Sequence, residues 1–307
     1  MERIMTQEET NRALQKKRTN EKLKKIFANV FIYFVLLLMY APLIYITVFS
    51  FTTHTVAGQW DGFSFDNYTS LFNYAGNKNA EKIWNAAGNT ALVAITSAAS
   101  ATILGTLGAI GIYYLRKKWL KNTLDFVTQI PVVNAEIVTA VSLCVLFVIC
   151  SSFMPRSFLT LVIGHTVLGI PYVVMSVEPK LEQMDPSLYE AAMDLGATQT
   201  QALWKVIIPD ILPGILSGFL LSITLSLDDY VITAFTKPTE SGFNTISTYI
   251  DGATKKSGLP TQFRAFTAIL FAVILIVVVV MNVKSSQNAK RDSKKEIKGK
   301  WKRKLLS

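Results

Sequence analysis

Long apolar runs alternate along this chain with short polar interruptions. Six runs reach the length of about 20 residues that an α-helix needs to cross a bilayer. They are Ile26–Phe51, Ala86–Leu115, Leu124–Cys150, Phe158–Val177, Pro209–Phe235 and Ala265–Val283. No run shows the alternation of a half-buried strand, so the pattern predicts an all-α polytopic membrane protein with six transmembrane helices. The organisation expected is a polar tail over 1–25, a six-helix domain over 26–283 and a second polar tail over 284–307. One interruption, residues 178–208, differs from the others. It carries its own helical pattern, "LYEAAMDLGATQTQALWKV", broken once at Gly196.

Composition agrees: of 307 residues, 50% are hydrophobic, and the mean hydropathy is +0.34. The net charge of +10 is concentrated between and beyond the apolar runs. That is a topology signal rather than a nucleic-acid-binding face. The two tails and the 116–122 and 178–208 loops hold 24 of the 31 Lys and Arg residues, and the opposite loops hold 7. The excess puts both termini in the cytoplasm, in a multi-pass protein of the bacterial cell (inner) membrane. The basic tails are expected to lie on anionic membrane lipids. The 52–85 loop, long and aromatic, is expected to form short interfacial helices. Cys144 and Cys150, six residues apart in one run, point different ways and are read as buried apolar residues, not a disulfide.

Lipid supplies no hydrophobic reason for helices to associate, so small residues mark close contacts. Gly105, Gly108 and Gly111 in the second run, and Gly214 and Gly218 in the fifth, serve either this chain's own bundle or a subunit interface. Charged groups at membrane depth are costly and face a protein interior or an aqueous path. Here they are acidic: Glu136 in the third run, and Asp228 and Asp229 late in the fifth, followed by Tyr230. His165 lies in the fourth run, near Gly169, Pro171 and Tyr172, and is read as a hydrogen-bonded structural residue. Glu136, Asp228, Asp229, Tyr230 and Tyr172 are the candidates for a substrate path, and carboxylates there favour a cation. Pro131 and Pro171 fall where such a path needs irregular backbone.

No phosphate loop, nucleophile triad, metal cluster or dinucleotide fingerprint is present, so neither catalytic nor metal-ligating residues are assigned. Energy must then come from an ion gradient or from another chain. In the 178–208 loop, Pro186 starts a helix with Leu188, Ala191, Ala192 and Leu195 on its apolar side. Gly196 ends it at a positive φ, and Thr198 caps the next short helix. Small apolar residues on such a loop make a smooth face that another protein can approach closely.

The loop resembles the EAA loop of binding-protein-dependent ABC importer permeases, whose pattern is E-A-A-x-x-x-G, nine residues, then I-x-L-P. Here Glu190-Ala191-Ala192 and Gly196 are followed by Val206-Ile207-Ile208-Pro209, with the spacing intact. "YAPLIYITVFSF", "NAAGNTALVAITSAASA", "IGHTVLGIPYVV" and "SLDDYVITAF" extend the resemblance over most of 26–283, toward the polyamine-type subgroup. The resemblance implies a type I (MetI-like) permease fold and a transport subunit that is not itself an enzyme. Glu190, Ala191, Ala192, Leu195 and Gly196 would couple it to a homodimeric ABC ATPase, which would hold the ATP and Mg; this chain would bind no cofactor. A second permease subunit and an extracytoplasmic solute-binding protein complete the implied set. The implied cargo is a polyamine such as spermidine or putrescine. Other small solutes, such as ferric ion or thiamine, are the alternative, and an ATP-independent carrier or channel is a remote one.

Overall fold

A computed structural model describes residues 7–56, 58–73, 76–152, 154–238, 242–256, 258–276 and 279–280. The basic C-terminal tail from residue 284 lies outside these, as do the first six residues. The described elements are α1 (Gln7–Phe49), α2 (Asp66–Phe72), α3 (Lys78–Tyr113), α4 (Lys118–Val133), α5 (Glu136–Ile149) and α6 (Phe158–Gln183). There follow α7 (Pro186–Asp194), α8 (Gln199–Ala202), a π-helical turn (Leu203–Ile207), α9 (Ile208–Asp228), α10 (Val231–Thr236) and α11 (Ile246–Lys256). The apolar helix α12 covers Thr261–Ile276.

Four helical stretches are long and apolar enough to span a membrane: the later part of α1, α3, α6, and the continuous run from α8 through α9. The third expected span is not one straight helix. α4 and α5 meet at a break of 103°, where Asn134 and Ala135 are both extended. Pro131 removes one backbone donor just before the break. The fifth expected span also breaks early. Asp229 turns extended (ψ 129), and α10 starts anew beyond it. The described part of the sixth, α12, is shorter than a full crossing. At the other end the first helix runs back to Gln7, through residues expected to be tail.

The chain divides into two compact units. In the first, Met1–Ala80 with Pro260–Ser307, the apolar side chains of α1 such as Phe27, Leu37 and Met39 are exposed. The segment after α1 is held by polar bonds to backbone. Asn67, buried in α2, donates to Ser50 O (2.9 Å) and Thr52 O (2.7 Å). Arg264 of α12 donates to His54 O (3.0 Å) and Thr55 O (2.9 Å). Phe51 stacks on Phe63, with ring centres 4.9 Å apart. α2 is the short helix of the 52–85 loop, whose last residues already belong to α3.

In the second unit, Glu81–Leu259, α6 packs along α9. Its core joins Ala101 and Ala109 of α3, Val173, Val177 and Leu181 of α6, Ile207 of the π turn and Ile211 of α9. Glycine sets the spacing, since hydrocarbon surroundings reward close backbone approach. A Cβ at Gly214 would lie 2.8 Å from Ser176 O, and one at Gly218 would lie 3.0 Å from Val173 Cα. Gly105 faces Val173 in the same way, and Gly169 is pressed against Ser222 and Ala101. These four serve the chain's own bundle. Gly108 and Gly111 meet nothing within 4 Å. Cys144 and Cys150 are free thiols, but Cys150 caps the end of α5 and is exposed rather than buried.

Candidate functional site

The loop after α6 is built by its own sequence. Asp185 accepts a bond from Ser187 N (3.0 Å), capping α7 and holding its own carboxyl below the ordinary aspartate range. Gly196 ends α7 at φ +86°. Gly196 N donates to Met193 O (2.9 Å) and Ala197 N to Ala192 O (3.0 Å), the paired bonds of a Schellman motif. Thr198 then opens α8 with a reciprocal box: Gln201 N donates to Thr198 Oγ1 (3.3 Å), and Thr198 N to Gln201 Oε1 (3.0 Å).

Glu190, Ala191 and Leu195 are exposed on this frame, Leu195 at 90%, while Ala192 is half-buried. Leu188 and Trp204 are also largely exposed. The connection to α9 is helical throughout. Ala202 and Ile207 are buried, and Ile208 N reaches back five residues to Leu203 O. This widened turn precedes Pro209, which lacks an N–H and would crowd a carbonyl four residues back in a regular helix. The loop thus passes without a break into the 21-residue α9. The far end of α9 is Asp228.

The candidate path residues separate by environment. Glu136 is the first residue of α5, at the 103° break, and is exposed. Asp228, at the end of α9, and Tyr230, just past it, are exposed as well. Tyr230 hydrogen-bonds Asp251 of α11, whose carboxyl is held low chiefly by Lys255, 2.8 Å away. Tyr172 is half-buried on α6. The second halves of the two broken helices pack together: Ala140 of α5 and Ile232 of α10 share a buried cluster with Leu168 of α6. Glu136 and Asp228 therefore stand at the breaks of two helices that are in mutual contact beyond those breaks.

Asp229 differs from its neighbour. Its side chain is 1% exposed. It accepts from Ile232 N (3.1 Å), Thr233 N (2.9 Å) and Thr233 Oγ1 (3.0 Å), which caps α10. His165 Nε2 lies 3.5 Å from Asp229 Oδ2 and 2.9 Å from Thr233 Oγ1. The other ring nitrogen, Nδ1, lies 2.8 Å from Ser226 Oγ, which in turn meets Ser97 Oγ at 3.2 Å. A buried polar chain thus joins α3, α6, α9 and α10. Sequence reasoning places His165 and Asp229 separately and misses their pairing. The available signal was Asp229 itself, a residue type that favours helix N-caps, standing inside an apolar run. Among the described residues no group of His, Cys, Asp and Glu is arranged to hold a metal.

Residues 101–286 match the family described as "Binding-protein-dependent transport system inner membrane component". The spermidine/putrescine transport system permease protein PotC of Haemophilus influenzae is 31% identical over 260 residues, covering 85% of this chain and 96% of that one. The putrescine transport system permease protein PotI of Escherichia coli is 31% identical over 201 residues, covering 64% of this chain and 69% of that one. Among solved structures, a bacterial alginate ABC transporter in complex with an alginate pentasaccharide-bound periplasmic protein superposes with a TM-score of 0.60. There the identity is 18%, with 87% of this chain and 95% of that chain covered, so the likeness is one of fold. The matched family, the near-full-length match to PotC and the shared helical fold lead to one conclusion: this chain belongs to the binding-protein-dependent transport system inner membrane components and is a permease of the type I ABC importer fold.

Proposed function

We propose that the chain is one permease subunit of an ATP-driven importer of polyamines, with both termini and the α7–α8 loop in the cytoplasm. A homodimeric ATPase, carrying the ATP and Mg, docks on this loop. A second permease completes the path, and a soluble binding protein delivers cargo from the other side. The single observation that carries the coupling role is the loop itself. Capping bonds fix its shape, it exposes Leu195 at 90%, and it runs through the π turn into α9 without a flexible joint. Motion applied at Glu190–Gly196 therefore reaches the helix that ends at Asp228.

The cargo reading rests on the polyamine relatives and on charge. Glu136 and Asp228 are exposed at the two helix breaks, where backbone irregularity marks transport sites and a carboxylate favours an ammonium group. A photocrosslinker placed at Leu195 is expected to capture the ATPase subunit, and one at Cys150 is not. Absence of an ATPase adduct at Leu195 in the assembled importer would remove the docking claim.

A further inference from the structure

Asp228 and Asp229 are adjacent in sequence and opposite in circumstance. The first is exposed, and the second is enclosed with His165. Hydrogen bookkeeping over the enclosed chain is restrictive. Ser97 Oγ already donates to Val93 O at 2.7 Å, so the proton in its contact with Ser226 must come from Ser226. Ser226 Oγ must then accept from His165 Nδ1. Thr233 Oγ1 donates to Asp229 Oδ2, so it must accept from His165 Nε2. A doubly protonated imidazole facing an ionised Asp229 gives every contact one proton. A neutral imidazole does so only if Asp229 takes up the proton, and the two backbone N–H groups that Asp229 accepts favour its carboxylate form.

A buried charge is tolerated when paired and fully hydrogen-bonded, and removal of one partner leaves the other stranded. The pair also sits where it controls geometry. Asp229 caps α10 through two backbone N–H groups, and His165 ties that cap to α6. Gly164, one residue before His165, abuts Ile232 and Thr236, so α10 is seated closely on α6 at this level.

We infer that His165 and Asp229 form an internal ion pair that positions the α9–α10 break, and that the charge of Asp229 is committed to His165 rather than to cargo. Asp229 and His165 are positioning residues. Asp228 is the carboxylate of this doublet left free for a cation, an assignment that rests on the polyamine reading above.

The test uses the complete importer, with its ATPase, second permease and binding protein, in proteoliposomes supplied with labelled spermidine. Asp228→Asn is expected to raise KM about tenfold with Vmax little changed, the equivalent of one lost charge-assisted contact. Asp229→Asn is expected to lower Vmax about tenfold with KM little changed. His165→Gln strands a carboxylate and should be the most damaging single change. The double variant His165→Gln/Asp229→Asn should recover part of that loss, because neither charge is then unpaired. The same order is expected in the melting temperature of the purified complex, a readout that needs no cargo.

If His165→Gln prevents assembly, Thr233→Val against Thr233→Ser supplies the test. Both keep the two charges, and only the serine keeps the bridging hydroxyl and should retain Vmax. A rise in KM for Asp229→Asn matching that of Asp228→Asn overturns the inference, as do strictly additive losses in the double variant. An unchanged KM in Asp228→Asn alone overturns the cation-path reading and leaves the His165–Asp229 order in melting temperature to stand on its own.

Discussion

Gly196 gives the sharpest separation between shape and contact. Its φ of +86° lies where side-chain-bearing residues are disfavoured, and a Cβ built there meets no atom within 4 Å. Substitution therefore costs backbone strain and nothing in packing. For alanine that strain is about 1–2 kcal/mol, more for a β-branched residue and less for asparagine, which tolerates this conformation. Two Schellman bonds, at 2.9 and 3.0 Å, depend on the conformation. The strain thus falls on the loop rather than on the bundle. A shift of about 1.4 kcal/mol changes the ratio of loop conformers tenfold, and ATPase affinity should fall by a similar factor in Gly196→Ala. The expected order of affinity is Gly196, then Asn, Ala and Val. It is measured by titrating the fluorescently labelled ATPase onto the detergent-solubilised permease pair. The melting temperature of the pair should move little across the series. Equal weakening by asparagine and valine would refute the argument, because it would mean that the added volume matters and the conformation does not.

Three further outcomes follow from the packing and the polar bonds. Gly169→Ala, which drives a methyl group against Ser222 and Ala101, should destabilise the chain by about 1–3 kcal/mol in equilibrium unfolding in mixed micelles, while Gly108→Ala should be neutral or slightly stabilising. Asn67→Ala removes two bonds to buried-segment carbonyls and should cost about 1–3 kcal/mol in the same assay, with Asn67→Asp no better because a carboxylate does not donate. The cap from Asp185 involves a lowered carboxyl pKa, so its contribution is fully present above the unfolded-state value and is lost as pH falls through the folded one. Carbon-detected titration of Asp185 should place its midpoint below that of Asp185 in a Ser187→Pro variant, which lacks the donor N–H.

The parts of the fold that follow from local chemistry were legible in the sequence. The start at Asp185-Pro186, the stop at Gly196 and the cap at Thr198 each depend on a few adjacent residues, and each appears where the residue types place it. Spans were legible as apolar runs, but continuity was not. The apolar pattern continues on both sides of Asn134 and Asp229, so hydropathy alone does not mark the breaks there. The division of the glycines was hidden for the same reason. Gly105 and Gly108 lie one turn apart, and only the position of α6 makes the first a contact. The pairing of His165 with Asp229 spans 64 positions and is a product of the α6–α10 seam.

On the function proposed above, this chain moves a polycation only when an ATPase acts on the α7–α8 loop. Proteoliposomes containing the full importer, loaded with ATP and given labelled spermidine and its binding protein, test it directly. Uptake is expected to require ATP, to compete with putrescine, and to disappear in Gly196→Val while the ATPase alone remains active. Uptake by this chain without the ATPase, or undiminished uptake in Gly196→Val, would contradict it.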